Sequence, residues 1–168
     1  MNVKNVTLLL VSIVLLIGCN NDDDSSIVSS DLAGVWHGVS VDYVGSTVTS
    51  GQGVSLKVDF VGEGYDINYD VTFNDAVDNM SASGSYGIKI TTTFNGQSSV
   101  VNEEGLTFEN EGSFSLEGDK IILEDGTIFT IVTLTETTLE LNILDENTIE
   151  ENGLTVVTTI DGDFTYIR

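Results

Sequence analysis

Polar and apolar residues alternate with a period of two along most of this chain. In Tyr65-Asp66-Ile67-Asn68-Tyr69-Asp70-Val71-Thr72-Phe73 every odd position is apolar and every even one polar. Successive side chains of a strand point to opposite faces, so this segment buries one face and wets the other. Val54 to Phe60 repeats the pattern, and the intervening Gly62-Glu63-Gly64 suits a turn. Tyr86, Ile88, Ile90, Thr92 and Phe94 alternate again, and Leu106-Thr107-Phe108 is a shorter candidate. Phe114 to Leu116 and Lys120 to Leu123 read as a hairpin around Glu117-Gly118-Asp119, with Glu124-Asp125-Gly126 as the next turn. Ile128 to Leu134 and Thr138 to Leu144 form a further pair. Leu154 to Ile160 and Phe164 to Ile167 close the chain around Asp161-Gly162-Asp163. Two stretches, Asn74 to Ser83 and Asn95 to Gly105, are rich in Asn, Ser, Gly and acids, and are expected as loops.

With Val35 to Val44 as the first strand, the pattern predicts roughly eight to ten strands with short connections. Valine, isoleucine, threonine and aromatics dominate them, and these types favour a pleated, half-buried surface. The chain has no proline, and seventeen glycines punctuate it. The expectation is an all-β domain, an antiparallel up-and-down barrel of about eight strands. An immunoglobulin-like β-sandwich is the alternative fold.

The N-terminus departs from this pattern. Met1 to Asn5 carries one positive charge, Lys4, and Val6 to Ile17 is apolar except for Thr7 and Ser12. The run is short of the ~20 apolar residues of a bilayer crossing. It has the length and order of a signal-peptide hydrophobic region. It ends in Leu16-Ile17-Gly18-Cys19. That sequence resembles the lipobox of bacterial lipoproteins, which implies cleavage before Cys19 and diacylglycerol on its sulfur. Two or three acyl chains hold a protein on a membrane almost irreversibly. Asn20-Asn21-Asp22-Asp23-Asp24-Ser25-Ser26 follows as an acidic, flexible tether repelled by anionic headgroups. It resembles the acidic export signal that sends some Gram-negative lipoproteins to the outer leaflet of the outer membrane. A solvated linker with no address is the other reading. The expected organisation is a signal peptide at 1–18, a tether at 19–30 and one β-domain at 31–168. The expected location is the outer membrane, lipid-anchored, with the periplasmic and cell-surface faces both open.

Charge narrows the partners. Lys4 is the only charged residue before Cys19, so the processed chain keeps 27 acidic and 4 basic residues, a net charge of −23. Nucleic acid and anionic headgroups would be repelled by such a domain. The hydrophobic fraction of 40% is too high for a disordered acidic chain. Cys19 is the sole cysteine, which excludes an intramolecular disulfide and cysteine-based metal clusters.

The domain opens Asp31-Leu32-Ala33-Gly34-Val35-Trp36. This resembles the Leu-x-Gly-x-Trp opening of small lipocalin-like bacterial lipoproteins. Gly112 to Leu116 with Gly118 to Leu123, Thr133 to Leu141, and the ending Phe164-Thr165-Tyr166-Ile167-Arg168 resemble that family's later segments. The resemblance implies a barrel with a side-chain-lined cup. It also implies that Trp36 sits at the closed end of the barrel with Arg168 packed over its indole, both structural. The disulfide cysteines and other sequence blocks of true lipocalins are missing, so no ligand specificity carries over.

Candidate chemistry is sparse. His37, the only histidine, would need a serine and an acid for nucleophilic catalysis, and no G-x-S-x-G elbow occurs. The carboxylates cluster at expected turns, where solvation explains them. Asp161-Gly162-Asp163 and Asp22-Asp23-Asp24 offer oxygen ligands but lack the twelve-residue calcium-loop pattern. No catalytic residue, metal or cofactor is assigned. Tyr65, Tyr69, Phe73, Tyr86 and Phe94 alternate toward one face of their strands and would line a barrel interior, as ligand contacts or as core. The leading expectation is a membrane-anchored, non-enzymatic protein whose barrel binds a small apolar or amphipathic ligand. The alternative is a structural or accessory envelope lipoprotein that acts through a protein partner. A hydrolase of envelope polymers ranks below both.

Mass spectrometry of the mature N-terminus is expected to show a diacylated Cys19 as the first residue. Cys19→Ser should leave residues 1–18 attached and the sulfur adducts absent; an unmodified Cys19 in the wild-type chain would refute the assignment.

Overall fold

The computed structural model describes residues 27–107 and 111–168. The expected signal segment, Cys19, most of the expected tether, and Phe108 at the end of one short candidate strand lie outside the described residues. One short helix, α1 (Ser29–Leu32), precedes nine strands: β1 (Gly34–Gly51), β2 (Val54–Asn74), β3 (Asn79–Phe94), β4 (Gln97–Leu106), β5 (Gly112–Glu117), β6 (Lys120–Leu123), β7 (Ile128–Leu134), β8 (Thr138–Glu151) and β9 (Leu154–Ile167). All pairings are antiparallel. The sheet order is β2-β1-β9-β8-β7-β6-β5-β3-β4, and β2 also pairs with β3. That last pairing closes eight strands into a barrel-like ring, with β4 hung on β3 outside it. A single closed sheet replaces the two stacked layers of a sandwich.

The core fills one end of the ring. Leu32, Trp36, Tyr69, Val71, Phe73, Met80, Phe114, Ile121, Leu123, Phe129, Ile131, Leu139, Leu141 and Tyr166 form one buried cluster. Apart from Leu32, which α1 supplies, they come from alternate positions of their strands, as a one-sided burial pattern requires. Phe73 meets Phe114 edge to face at 5.5 Å, and Phe129 meets Phe164 at 6.1 Å. At the base, the Trp36 indole N–H donates to the Leu32 carbonyl at 2.7 Å. Arg168 lies 4.1 Å from the centre of the indole ring. Its Nε donates to the Glu136 carbonyl at 2.7 Å and its Nη1 to the Ala33 carbonyl at 2.9 Å.

The wall of the ring is uneven. β5, β6 and β7 are short, whereas β1, β2, β3, β8 and β9 run 14 to 21 residues. With β4 they make a six-stranded tall wall that rises past the core. Two expected turns prove to be strand interior. Gly62-Glu63-Gly64 lies within β2, and Asp161-Gly162-Asp163 lies within β9. The reason is steric. A Cβ on Gly62 would fall 2.3 Å from the Tyr43 ring, and one on Gly45 would fall 2.4 Å from the Phe60 ring. These glycines leave room for aromatic rings from the neighbouring strand, a tertiary use that mimics a turn signal in sequence. The true reversals are two-residue loops: Gln52-Gly53, Asn95-Gly96 and Asn152-Gly153. Each has positive φ at both positions, as type I′ hairpin turns need. Asn95 to Gly105, expected as a loop, is therefore mostly a hairpin tip followed by β4. Asn74 to Ser83 is a tight turn followed by the start of β3.

Arg168→Ala should cost about 1–2 kcal/mol through the lost cation–π contact and the two carbonyls it caps. That corresponds to a fall in Tm of about 2–8 °C for a domain of this size. Trp36→Ala should cost about 3–5 kcal/mol through cavity formation. Thermal unfolding followed by circular dichroism measures both, and an unchanged Tm for Arg168→Ala would remove the cation–π contact from this account.

Candidate functional site

The five aromatics expected along the interior do not stay together. Tyr69 and Phe73 are each 2% exposed and belong to the packed core. Tyr86 is half-buried against that core, 5.9 Å from the Tyr69 ring. Tyr65 departs from them. The β2–β3 register shifts between Tyr65 and Asn68, and Asp66 adopts a φ of 48°. A bulge of this kind adds a residue and reverses which face follows. Tyr65 consequently pairs with Gly87 on the outer face, where its ring covers the site of the missing Cβ and its hydroxyl donates to the Glu103 carbonyl at 3.3 Å. Phe94 stands at the β3–β4 tip, 39% exposed. Tyr69, Phe73 and Tyr86 thus contribute to the packed end of the ring, while Tyr65 and Phe94 stand apart from it.

Hollows lie on the outside. One of about 620 Å³ sits on the outer face of the tall wall, across β2, β1, β9 and β8. Val44, Val61 and Leu144 supply its apolar floor. They point away from the interior because they alternate with the buried Val41 and with Ile143, which packs on the core. The register sets Val44 opposite Val61 on one side and opposite Asp161 on the other, with Leu144 beyond Asp161. Lys57, Asp59, Glu146 and Asp161 form its polar rim. Lys57 and Asp59 pair at 2.8 Å, which leaves the rim acidic in balance. Leu144 is 74% exposed, the most exposed large apolar side chain described. The sequence puts Asp161 in an expected turn as a possible oxygen ligand, and singles out neither Val44 and Leu144, which end expected strands, nor Val61. Their signal was an apolar residue on the polar side of the alternation.

Two residues toward the core, the same face carries Glu63, Asp42 and Asp163 side by side, since Asp42 pairs with both neighbours. They line a smaller hollow of about 220 Å³ with Asp161. Lys89 Nζ lies 2.9 Å from Glu63. The Asn142 amide donates to Asp161 at 2.7 Å and to Asp163 at 2.9 Å, easing the repulsion between them. Among the described residues, no group of three or more His, Cys, Asp or Glu side chains is arranged to hold a metal ion. His37 does have an acid. Its Nδ1 lies 2.7 Å from Asp70, its direct cross-strand partner, and both side chains are solvent-exposed. No hydroxyl nucleophile shares its described hydrogen bonds.

Burial raises the phenol pKa of Tyr69 and of Tyr166 well above the usual value of 10, because the charged form would lose its water. Above pH 10 an unfolded chain would release these protons while the folded one keeps them. The unfolded state then binds fewer protons, so stability is whole below about pH 10 and falls as pH rises further. Absorbance at 295 nm should show these two phenols ionising only together with the loss of far-ultraviolet circular dichroism. Titration of all five tyrosines in the folded state would contradict the burial.

Against this geometry, no family model matches the chain, and no curated protein or solved structure matches it.

Proposed function

We propose that the chain is the precursor of an outer-membrane lipoprotein that works by binding, and that its ligand is amphipathic and held on the outer face of the tall wall. Support for the anchor comes from the apolar run ending in Cys19. Support for the binding place comes from one contrast. The core end of the ring is filled by large side chains, while an outer hollow within the ligand size range of about 300–1,000 Å³ has an apolar floor and an acidic rim. Val44, Val61 and Leu144 would cover an apolar body, and Asp161 and Glu146 would face a positive group. A lipocalin-like ancestry is compatible with this reading, with the ligand outside the barrel. A second reading, an accessory protein meeting a protein partner, draws on the acidic row Glu63, Asp42 and Asp163. Such a row suits a basic partner surface and would speed its approach at low salt.

The test uses the processed protein in lipid nanodiscs and a fluorescent long-chain amine, with empty nanodiscs subtracted. Leu144→Asn and Val61→Asn should each weaken binding about tenfold, equivalent to about 1.4 kcal/mol of lost apolar contact. Tyr86→Phe, at the barrel interior, should leave it unchanged. Affinity that follows Tyr86 and ignores Leu144 would return the ligand to the barrel; no binding by any variant would favour the partner reading.

A further inference from the structure

The tall wall has two lateral edges, β4 and the part of β8 that rises past β7, and they differ in chemistry. From Leu144 to Glu151 the β8 edge carries Asp145, Glu146, Glu150 and Glu151. Charges along an edge discourage other strands from adding to it. From Gln97 to Asn102 the β4 edge reads Gln-Ser-Ser-Val-Val-Asn, with no charge and no glycine. Its pairing with β3 is unbroken from Gln97 to Glu103, so no bulge twists it away. Val100 is 56% exposed and Val101 51%.

The hairpin decides which backbone groups are free. Around the two-residue loop Asn95-Gly96, Phe94 and Gln97 face one another as a hydrogen-bonded pair. Gln97, Ser99 and Val101 therefore turn their N–H and C=O groups toward β3, and Ser98, Val100 and Asn102 turn theirs outward.

We propose that this edge is a self-association site, at which β4 pairs antiparallel with β4 of a second copy about a two-fold axis at Val100. This register sets Val100 opposite Val100, Ser98 opposite Asn102, and Ser99 opposite Val101. Every outward backbone group of the segment then gains a partner. Charge selects the occupant. Glu103 and Glu104 follow the uncharged segment at one end only. Antiparallel pairing sets Glu103 opposite Gln97 of the second copy and keeps the two Glu103 side chains at opposite ends of the ladder. Parallel pairing would set like charges side by side, which destabilises a sheet. A β8 edge from the second copy would bring four acids with no cation to meet them. Six backbone hydrogen bonds are comparable to the freedom lost on association, so the pair is weak in dilute solution. It becomes populated where copies are concentrated, as on a membrane, and in that respect it rests on the anchoring of Cys19.

The test is oxidative crosslinking of the full chain in cell membranes, read on a non-reducing gel. In a hydrogen-bonded antiparallel pair the Cα atoms are about 5.5 Å apart, within reach of a disulfide. Val100→Cys should give a dimer at least tenfold stronger than Val132→Cys, an equally exposed position on β7, or Glu150→Cys on the other edge. Ser98→Cys and Asn102→Cys should dimerise when co-expressed and not when alone, which fixes the register. Val100→Pro, which removes only an outward N–H, should abolish the Ser98–Asn102 crosslink while circular dichroism stays unchanged. Equal dimer at Val132→Cys, or none at Val100→Cys in membrane-bound protein, overturns the proposal. Failure of anchoring shows separately, as protein missing from the membrane fraction. In that case Val100→Cys in a Cys19→Ser background is oxidised at millimolar concentration, where absence of the dimer again overturns the pairing.

Discussion

The fold hangs on the burial of one indole. Trp36 is fully buried at the base of the ring, where the segment before β1 and the end of β9 meet around it. Its N–H is satisfied by Leu32 in the helix that precedes the first strand, and its face is covered by Arg168, the last residue. Arg168 in turn caps carbonyls from Ala33 and Glu136, which belong to two different connections. A buried indole without a partner for its N–H would lose much of what its area contributes. The arrangement solves that problem at the end of the ring where the start of β1 pairs with the end of β9.

Closure lets the core be filled at one end only. Above it the tall wall has two wet faces, and its strands persist because of cross-strand pairs in place of a second layer. Glycines beneath aromatic rings recur there: Gly62 under Tyr43, Gly45 under Phe60, Gly87 under Tyr65. Each ring replaces contacts that a glycine strand position would lack. Hydroxyl pairs such as Thr47 with Thr158 at 3.2 Å add to the ladder. This economy leaves apolar residues such as Leu144 and Val61 on the surface, and it leaves two sheet edges open.

Net charge shapes how those open surfaces can be used. At −22 over the full sequence, copies repel at long range, although salt confines that repulsion to about 8 Å under physiological conditions. Local chemistry then decides contact. The β8 edge is guarded by acids, the outer hollow is apolar and rimmed by acids, and the β4 edge is neutral. The three surfaces therefore suit different kinds of contact, although they lie on one sheet.

The sequence alone determined the all-β class, the alternating strands and the acidic surface. These follow from local rules: the period of two fixes which side chains share a face, and charge is additive. The pairing of Trp36 with Arg168 was implied only by the resemblance to small lipocalin-like lipoproteins, since no local rule joins residues so far apart. Only the tertiary structure decided which glycines bend the chain and which lie flat. Gly62 and Gly162 look like turn residues until the neighbouring strands' side chains are seen above them, whereas Asn95-Gly96 and Asn152-Gly153 reverse the chain because both positions adopt positive φ. The face of Tyr65 was likewise hidden, since a bulge at Asp66 breaks an alternation that looks perfect in sequence. The outer hollow needed four strands in register, a long-range property that no single segment encodes. Closure decided the rest: it gathered the large side chains into one packed end and left the outer hollow and two strand edges exposed.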